Sequence, residues 1–307
     1  MAKKTQLNTP DYEKKYKRLR IVLFIFLLLF ALFVYINYDY LAFKFFISYN
    51  YAYTDSLDEL YKNEIGEENV KGYFRNFDDV AIASFTEKIR AVSGDKYTYL
   101  YTPAQYAFTK EYEKESVKEA VARELTPNTA YIFIPGVSKY TRKFIYDNEE
   151  FLAGYENLVF DLRTNPGGKL NDMYKIADLF LEEGQTIAFE DTRHAVTSST
   201  LKAKGTKELE YDEIIFLQDS QTASACEGLI MALKENLDNV TIIGETSFGK
   251  GIGQYTMPLK GGFAVKATVM RSLTPHGNSI HQKGITPDIE YTGDDILGFV
   301  TGYIEET

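Results

Sequence analysis

The apolar and polar positions divide the chain into three stretches. From Ile21 to Ile36 the residues form an unbroken apolar run, I-V-L-F-I-F-L-L-L-F-A-L-F-V-Y-I. With Leu19 and Tyr38 at its edges it approaches the ~20 residues needed to span a bilayer. A buried core helix would carry polar positions at helical spacing, and this run carries none. Residues 39–75 are rich in Tyr, Asn and acidic side chains and read as a juxtamembrane connector with some helix. Asn76 to Val92 places Phe77, Val80, Ile82, Phe85 and Ile89 on a partly amphipathic helix that Asn76 could cap. A charged helix is expected around Glu113 to Leu125.

From Tyr131 onward short apolar runs alternate with helical patterns. Tyr131–Pro135, Leu158–Leu162, Glu213–Gln218, Val240–Gly244 and Phe263–Arg271 read as strands. Helices are expected over Tyr140–Tyr155, Leu170–Leu181 and Ser224–Asn236, with a final one within Asp294–Ile304. Alternation of this kind predicts an α/β fold with a largely parallel sheet.

Charge adds direction to the apolar run. Lys3, Lys4, Lys14, Lys15, Lys17, Arg18 and Arg20 precede it, against Asp11 and Glu13. Positive flanks stay in the cytoplasm, so the domain that follows is expected to face outward. N-Y-D-Y-L-A-F-K after the run offers no A-x-A-like cleavage site, which favours a retained anchor over a removed signal. The net charge of −10 argues against nucleic-acid binding. Cys226 is the single cysteine, so no internal disulfide can form; it reads as a small buried helix residue rather than a reactive thiol.

Candidate chemistry sits in two segments about 26 residues apart, T-A-S-A-C-E around Ser224 and G-K-G-I-G-Q around Lys250. A serine hydroxyl needs a base to become a nucleophile. His194, His276 and His281 stand in no recognisable triad motif. A lysine can serve if an apolar, water-poor site keeps it neutral. Taken alone, Ser224 could be a helix N-cap, and Lys250 a solvated lysine in a glycine turn.

Four motifs occur in order: D-L-R-T-N-P-G-G (Asp161 to Gly168), T-A-S-A-C-E, G-E-T-S-F-G-K-G-I-G-Q, and L-T-P-H-G-N-S-I-H-Q-K-G-I-T-P-D (Leu273 to Asp288). Together they resemble the S41 family of C-terminal (tail-specific) processing peptidases over about residues 90 to 290. The resemblance implies a crotonase/ClpP-like α/β core with a helical N-terminal region and one transmembrane helix. It implies Ser224 as nucleophile and Lys250 as general base, with Gln254 orienting the lysine amine. The N–H of Ala225 and, from the N-P-G-G turn, that of Gly168 or next Gly167 would bind the oxyanion. Asp161 and Arg163 read as a supporting pair. Asp219 and Glu245 are expected to point away from Lys250. His276 and His281 read as surface loop residues, and His194 has no assigned role.

The pattern departs from the family's in one place. Fewer than 30 residues separate Tyr106 from Phe133, too few for a PDZ domain, which needs roughly 80–100. The expected organisation is a cytoplasmic basic segment (1–20), an anchor (21–38), a juxtamembrane and helical region without PDZ (39–128), an S41-like core (129–291) and a tail helix (292–307). The expected activity is hydrolysis of polypeptides outside the cytoplasm, with no metal or cofactor. A homo-oligomer or an activating partner stays open, as does a non-catalytic binding or scaffold protein of the same fold. A thioester-processing enzyme of the crotonase type is disfavoured by an outward-facing domain.

Overall fold

The computed structural model describes residues 9–57 and 78–306, with side chains from Tyr12. Asn76, Phe77, residues 1–8 of the basic segment and the connector from 58 to 77 lie outside the described residues.

Helix α1 (Thr9–Ile36) contains the apolar run, and its described side chains, from Tyr12 on, are exposed except for half-buried Val34. Residues 12–36 are long and apolar enough to cross a membrane. After a turn at Asn37, α2 (Tyr38–Asn50) buries Phe43, Phe46 and Ile47. Helix α3 (Asp79–Ser93) is capped by Asp78, which accepts from Ala81 N–H at 2.9 Å, and ends at Gly94 in the left-handed region.

Strand β1 (Tyr99–Tyr101) leads to α4 (Pro103–Glu115). This helix starts earlier than the charge pattern suggests, because Thr102 and Gln105 form a capping box with Pro103 in the first turn. The expected helix around Glu113–Leu125 is therefore corrected. Its second half is β2 (Val121–Thr126), which pairs antiparallel with β3 (Thr129–Phe133).

The core continues with α5 (Lys139–Asp147), β4 (Asn157–Asp161), α6 (Leu170–Ala177), β5 (Thr186–Thr192), β6 (Ser199–Lys202), β7 (Glu213–Gln218), α7 (Ala225–Lys234), β8 (Val240–Gly244), β9 (Ile252–Pro258), β10 (Ala264–Leu273), β11 (Ile289–Glu290) and α8 (Ile296–Glu306). The helix expected over Tyr140–Tyr155 breaks at Asn148, before a separate turn at Glu149–Leu152.

Among the described residues two sheets form. The first has the order β11-β8-β7-β4-β3-β2 and is parallel apart from β2. Successive strand residues point to opposite faces. Ile214 and Phe216 join the larger core with Phe160, Met173, Ile176, Leu229 and Ile230. Ile215 and Leu217 face the other way, onto Ile296 and Val300 of the tail helix. The tail thus covers a sheet face that would otherwise expose apolar strands, as parallel sheets require.

The second sheet is antiparallel: β10 pairs with β1, β9 and β5, and β5 with β6. A single largely parallel sheet does not account for this part, which sequence alternation did not reveal. Met257, Val265 and Ala267 of this sheet, with Leu259 in the β9–β10 turn, pack on Phe43, Phe46, Ile47, Ile82, Phe85 and Ile89. Helices α2 and α3 are therefore part of a core, and α2 is more than a connector. Lys260 reinforces the junction: its amine donates to the carbonyls of Tyr35 (3.1 Å) and Ile36 (2.9 Å) at the end of α1, and its N–H donates to Asp39.

Candidate active site

Three segments leave the carboxyl ends of neighbouring parallel strands, where open α/β sheets bind ligands. N-P-G-G follows β4, Ser224 follows β7, and Lys250 follows β8. Backbone contacts join them. Thr222 Oγ1 donates to Leu162 O (2.9 Å), Ala223 N–H to Asn165 O (3.0 Å), and Phe248 N–H to Thr222 O (2.9 Å). Asn165, fully buried, donates to Ile134 O at 2.7 Å and accepts from Gly167 N–H at 3.0 Å.

Ser224 immediately precedes α7 with φ 59° and ψ −116°. A serine at positive φ is strained by about 1–3 kcal/mol unless its surroundings hold it. The holding group is Glu227, completely buried one turn into α7. Its Oε2 accepts from Ser224 N–H (2.7 Å) and Lys250 N–H (2.8 Å). Its Oε1 accepts from Ser247 Oγ (2.6 Å) and Gly249 N–H (2.7 Å). Four donors satisfy a carboxylate that burial would otherwise penalise heavily. Sequence reading gave Glu227 no role, although S-x-x-E ahead of an apolar run is a capping-box signature.

Ser224 and Lys250 line one cavity with Ile187, Met231, Ile252 and Leu273. Burial pushes the Lys250 amine below its ordinary pKa, against the opposing pull of Glu227 and Asp95. Asp219 is engaged elsewhere, accepting from Thr164, Gln221 and Thr222, and Glu245 is exposed. The amine lies 5.2 Å from the centroid of the Tyr97 ring.

Gln254 was expected to orient the lysine amine; among the described residues no hydrogen bond joins the two. On β9 its Nε2 donates to the carbonyl oxygen of Tyr97, so its link to Lys250 runs through that residue.

The two oxyanion candidates from the glycine turn differ. Gly167 N–H is already donated to Asn165 Oδ1. Among the described residues, the N–H groups of Gly168 and Ala225 donate to no protein acceptor. Both glycines are at positive φ, 93° and 153°. A Cβ on Gly167 would stand 2.5 Å from Ala223 O and 2.9 Å from Ala225 N; one on Gly168 would stand 1.9 Å from Val137 O. Only glycine allows the turn to lie this close to the serine.

Asp161, buried, accepts from Arg163 and from Tyr131 Oη at 2.9 Å, the supporting role expected of it. Cys226 is fully buried, and burial pushes its thiol well above the usual value. His276 is exposed beside Glu235. His194 lies against Tyr49, ring centroids 4.4 Å apart and planes tilted by 30°. His281 is a correction: it is half-buried against Tyr97, and its Nδ1 is enclosed with no hydrogen-bond partner among the described residues.

A model of peptidase family S41 matches residues 128–291. A probable CtpA-like serine protease of Staphylococcus aureus (strain N315) is 38% identical over 140 residues, covering 44% of this chain and 27% of that protein. The carboxy-terminal processing protease CtpA of Bacillus subtilis (strain 168) is 34% identical over 175 residues, covering 56% of this chain and 37% of that one. The chain thus spans well under half the length of these relatives. Among solved structures, a lipoprotein from Streptococcus agalactiae superposes with a TM-score of 0.59 at 18% identity, covering 81% of this chain and 93% of that one; at that identity the likeness concerns the fold. The matched segment takes in all four motifs and more than half of the residues, and the chain belongs to peptidase family S41.

Proposed function

We propose that the chain is a membrane-anchored serine peptidase that hydrolyses polypeptides through a Ser224–Lys250 dyad. The observation that carries this reading is the shared Glu227 carboxylate, which ties the backbones of both residues at 2.7 and 2.8 Å beside one cavity. Neutral Lys250 takes the proton of Ser224 Oγ as that oxygen attacks a peptide carbonyl. The N–H groups of Ala225 and Gly168 hold the developing oxyanion, a contribution typically worth about 2.7–4 kcal/mol per donor. The ammonium then returns its proton to the leaving amine. Water, deprotonated in turn by Lys250, releases the acyl group and restores the serine.

The depressed pKa of Lys250 supports the base role, because a base at neutral pH must be partly unprotonated. The exposed apolar α1 and its basic flank support an anchor with the peptidase core outside the cytoplasm. The short span between Tyr106 and Phe133, filled by part of α4, β2 and β3, supports action without a PDZ domain there. Unfolded or flexible segments near the membrane surface are the substrates this arrangement suits.

The test is incubation of the chain, in detergent, with a mixture of unfolded polypeptides, with new termini read by mass spectrometry. Cleavage by the wild type, lost in Ser224→Ala and Lys250→Ala, is expected. Equal cleavage by all three would overturn the dyad, and no cleavage by any folded form would favour a binding role.

A further inference from the structure

The base is covered by a residue from outside the four motifs. Tyr97 lies in the segment between α3 and β1, more than 150 positions before Lys250 in the chain, yet its ring centroid is 5.2 Å from the Lys250 amine. That placement is held from several sides. Gln254 donates to the Tyr97 carbonyl. Tyr97 N–H donates to Asp95 Oδ1 at 2.9 Å. Asp95 Oδ2 accepts from Thr98 Oγ1 (2.7 Å) and from Tyr51 Oη (3.0 Å). Thr98 Oγ1 in turn accepts from Thr268 N–H of β10 at 3.1 Å. Tyr51 is fully buried at the end of α2, so the juxtamembrane helix is joined to the Tyr97 segment through one carboxylate.

We propose that Tyr97 is a positioning residue for the base: its ring walls the Lys250 amine off from water, and the Asp95–Gln254 ties fix it there. This rests on the reading of Lys250 as the base of Ser224. The ring can do two things in the reaction. It excludes water while the amine is neutral, and its π-face attracts the ammonium that forms when the proton arrives. Charged and titratable groups around the amine come from every side: Glu227 on α7, Asp95 beside Tyr97, Lys266 on β10, and His281 beyond the Tyr97 ring. The two carboxylates and the ring's π-face favour the ammonium, so the exclusion of water has to outweigh all three, and burial is the largest influence on Lys250.

The experiment titrates the amine itself in the full chain. Reductive methylation of Lys250 is followed by mass spectrometry across the lysine titration range. It is run beside the pH dependence of Ser224 labelling by a fluorophosphonate. Tyr97→Phe, which keeps the ring, is expected to titrate with the wild type. Tyr97→Ala admits water and is expected to move the Lys250 titration up by about one pH unit, so that Ser224 labelling near neutrality falls about tenfold and recovers at higher pH. Tyr97→Leu, expected to shift about half as far, serves if the alanine variant does not fold. An unmoved Lys250 titration in the folded Ala or Leu variant overturns the proposal, as does a uniform activity loss with no change of pH profile. Absence of Ser224 labelling in the wild type would count against the peptidase reading, while the amine titration would still decide the role of Tyr97.

Discussion

Ser224 and Lys250 share one hydrogen-bond acceptor: Oε2 of Glu227 takes the N–H of Ser224 at 2.7 Å and that of Lys250 at 2.8 Å. Two residues from different loops are thereby fixed to one atom of a buried helix residue. On the proposed reading, one side chain therefore ties the backbones of nucleophile and base together.

Glu227→Gln should therefore damage both stability and activity. The amide replaces one acceptor oxygen with a donor, and each oxygen now accepts from two donors. Leaving buried donors unsatisfied costs about 1–3 kcal/mol each, so a loss of about 2–4 kcal/mol is expected in urea unfolding. A fall in kcat of more than about a hundredfold should accompany it, by displacement of the dyad. Unchanged kcat in a folded variant would show that the shared carboxylate is not what aligns the site.

Gly168→Ala should be among the most damaging single changes. Its Cβ would lie 1.9 Å from Val137 O, at a φ of 153° that side chains rarely adopt. The turn has to move, taking one proposed oxyanion donor with it. Loss of about 2.7–4 kcal/mol of transition-state stabilisation is expected, beyond any drop in melting temperature. Steady-state kinetics beside calorimetry separates the two.

Lys250→Met should raise the melting temperature near neutral pH while abolishing activity. The sign follows from linkage: the folded pKa lies below the unfolded one, so the unfolded chain binds more protons between them and stability rises with pH there. At pH values below the folded pKa the cost of burying the ammonium is fully present. Removing the amine lifts that cost, and the gain should shrink as pH approaches the ordinary lysine value. Calorimetry of both proteins across neutral to alkaline pH checks this, and a gain that grows with pH would contradict it.

Tyr131→Phe removes one hydrogen bond from buried Asp161, whose remaining partners come from Arg163. A loss of about 1–2 kcal/mol in stability is expected, with kcat within about twofold of the wild type. A large kcat effect would mean that Asp161 does more than support the N-P-G-G turn.

Much of this arrangement was legible in the sequence because it is local. β7 and β8 fall on the expected residues, since each is an apolar run bounded by polar breaks. Ser224 and Lys250 stood out because motif order carries information that a lone serine or lysine lacks. The antiparallel sheet was less visible: its β5 and β6 mix polar and apolar positions without strict alternation, and its pairing is long-range. The contact between Tyr97 and Lys250 could not be read at all, because no local spacing links residues so far apart. Gln254 was expected at the lysine, and its reach to Tyr97 instead depends on where the strand before α4 lies. His281 looked like a loop residue because enclosure by Tyr97 is a tertiary fact.

The most direct test of the account is the pH dependence of fluorophosphonate labelling, with the adduct mapped by mass spectrometry. The dyad predicts one adduct, on Ser224, with a rate that falls tenfold per unit as pH drops below the pKa of Lys250 and is lost in Lys250→Ala. An adduct on another residue, or a Ser224 rate that is indifferent to pH and survives in Lys250→Ala, would contradict it.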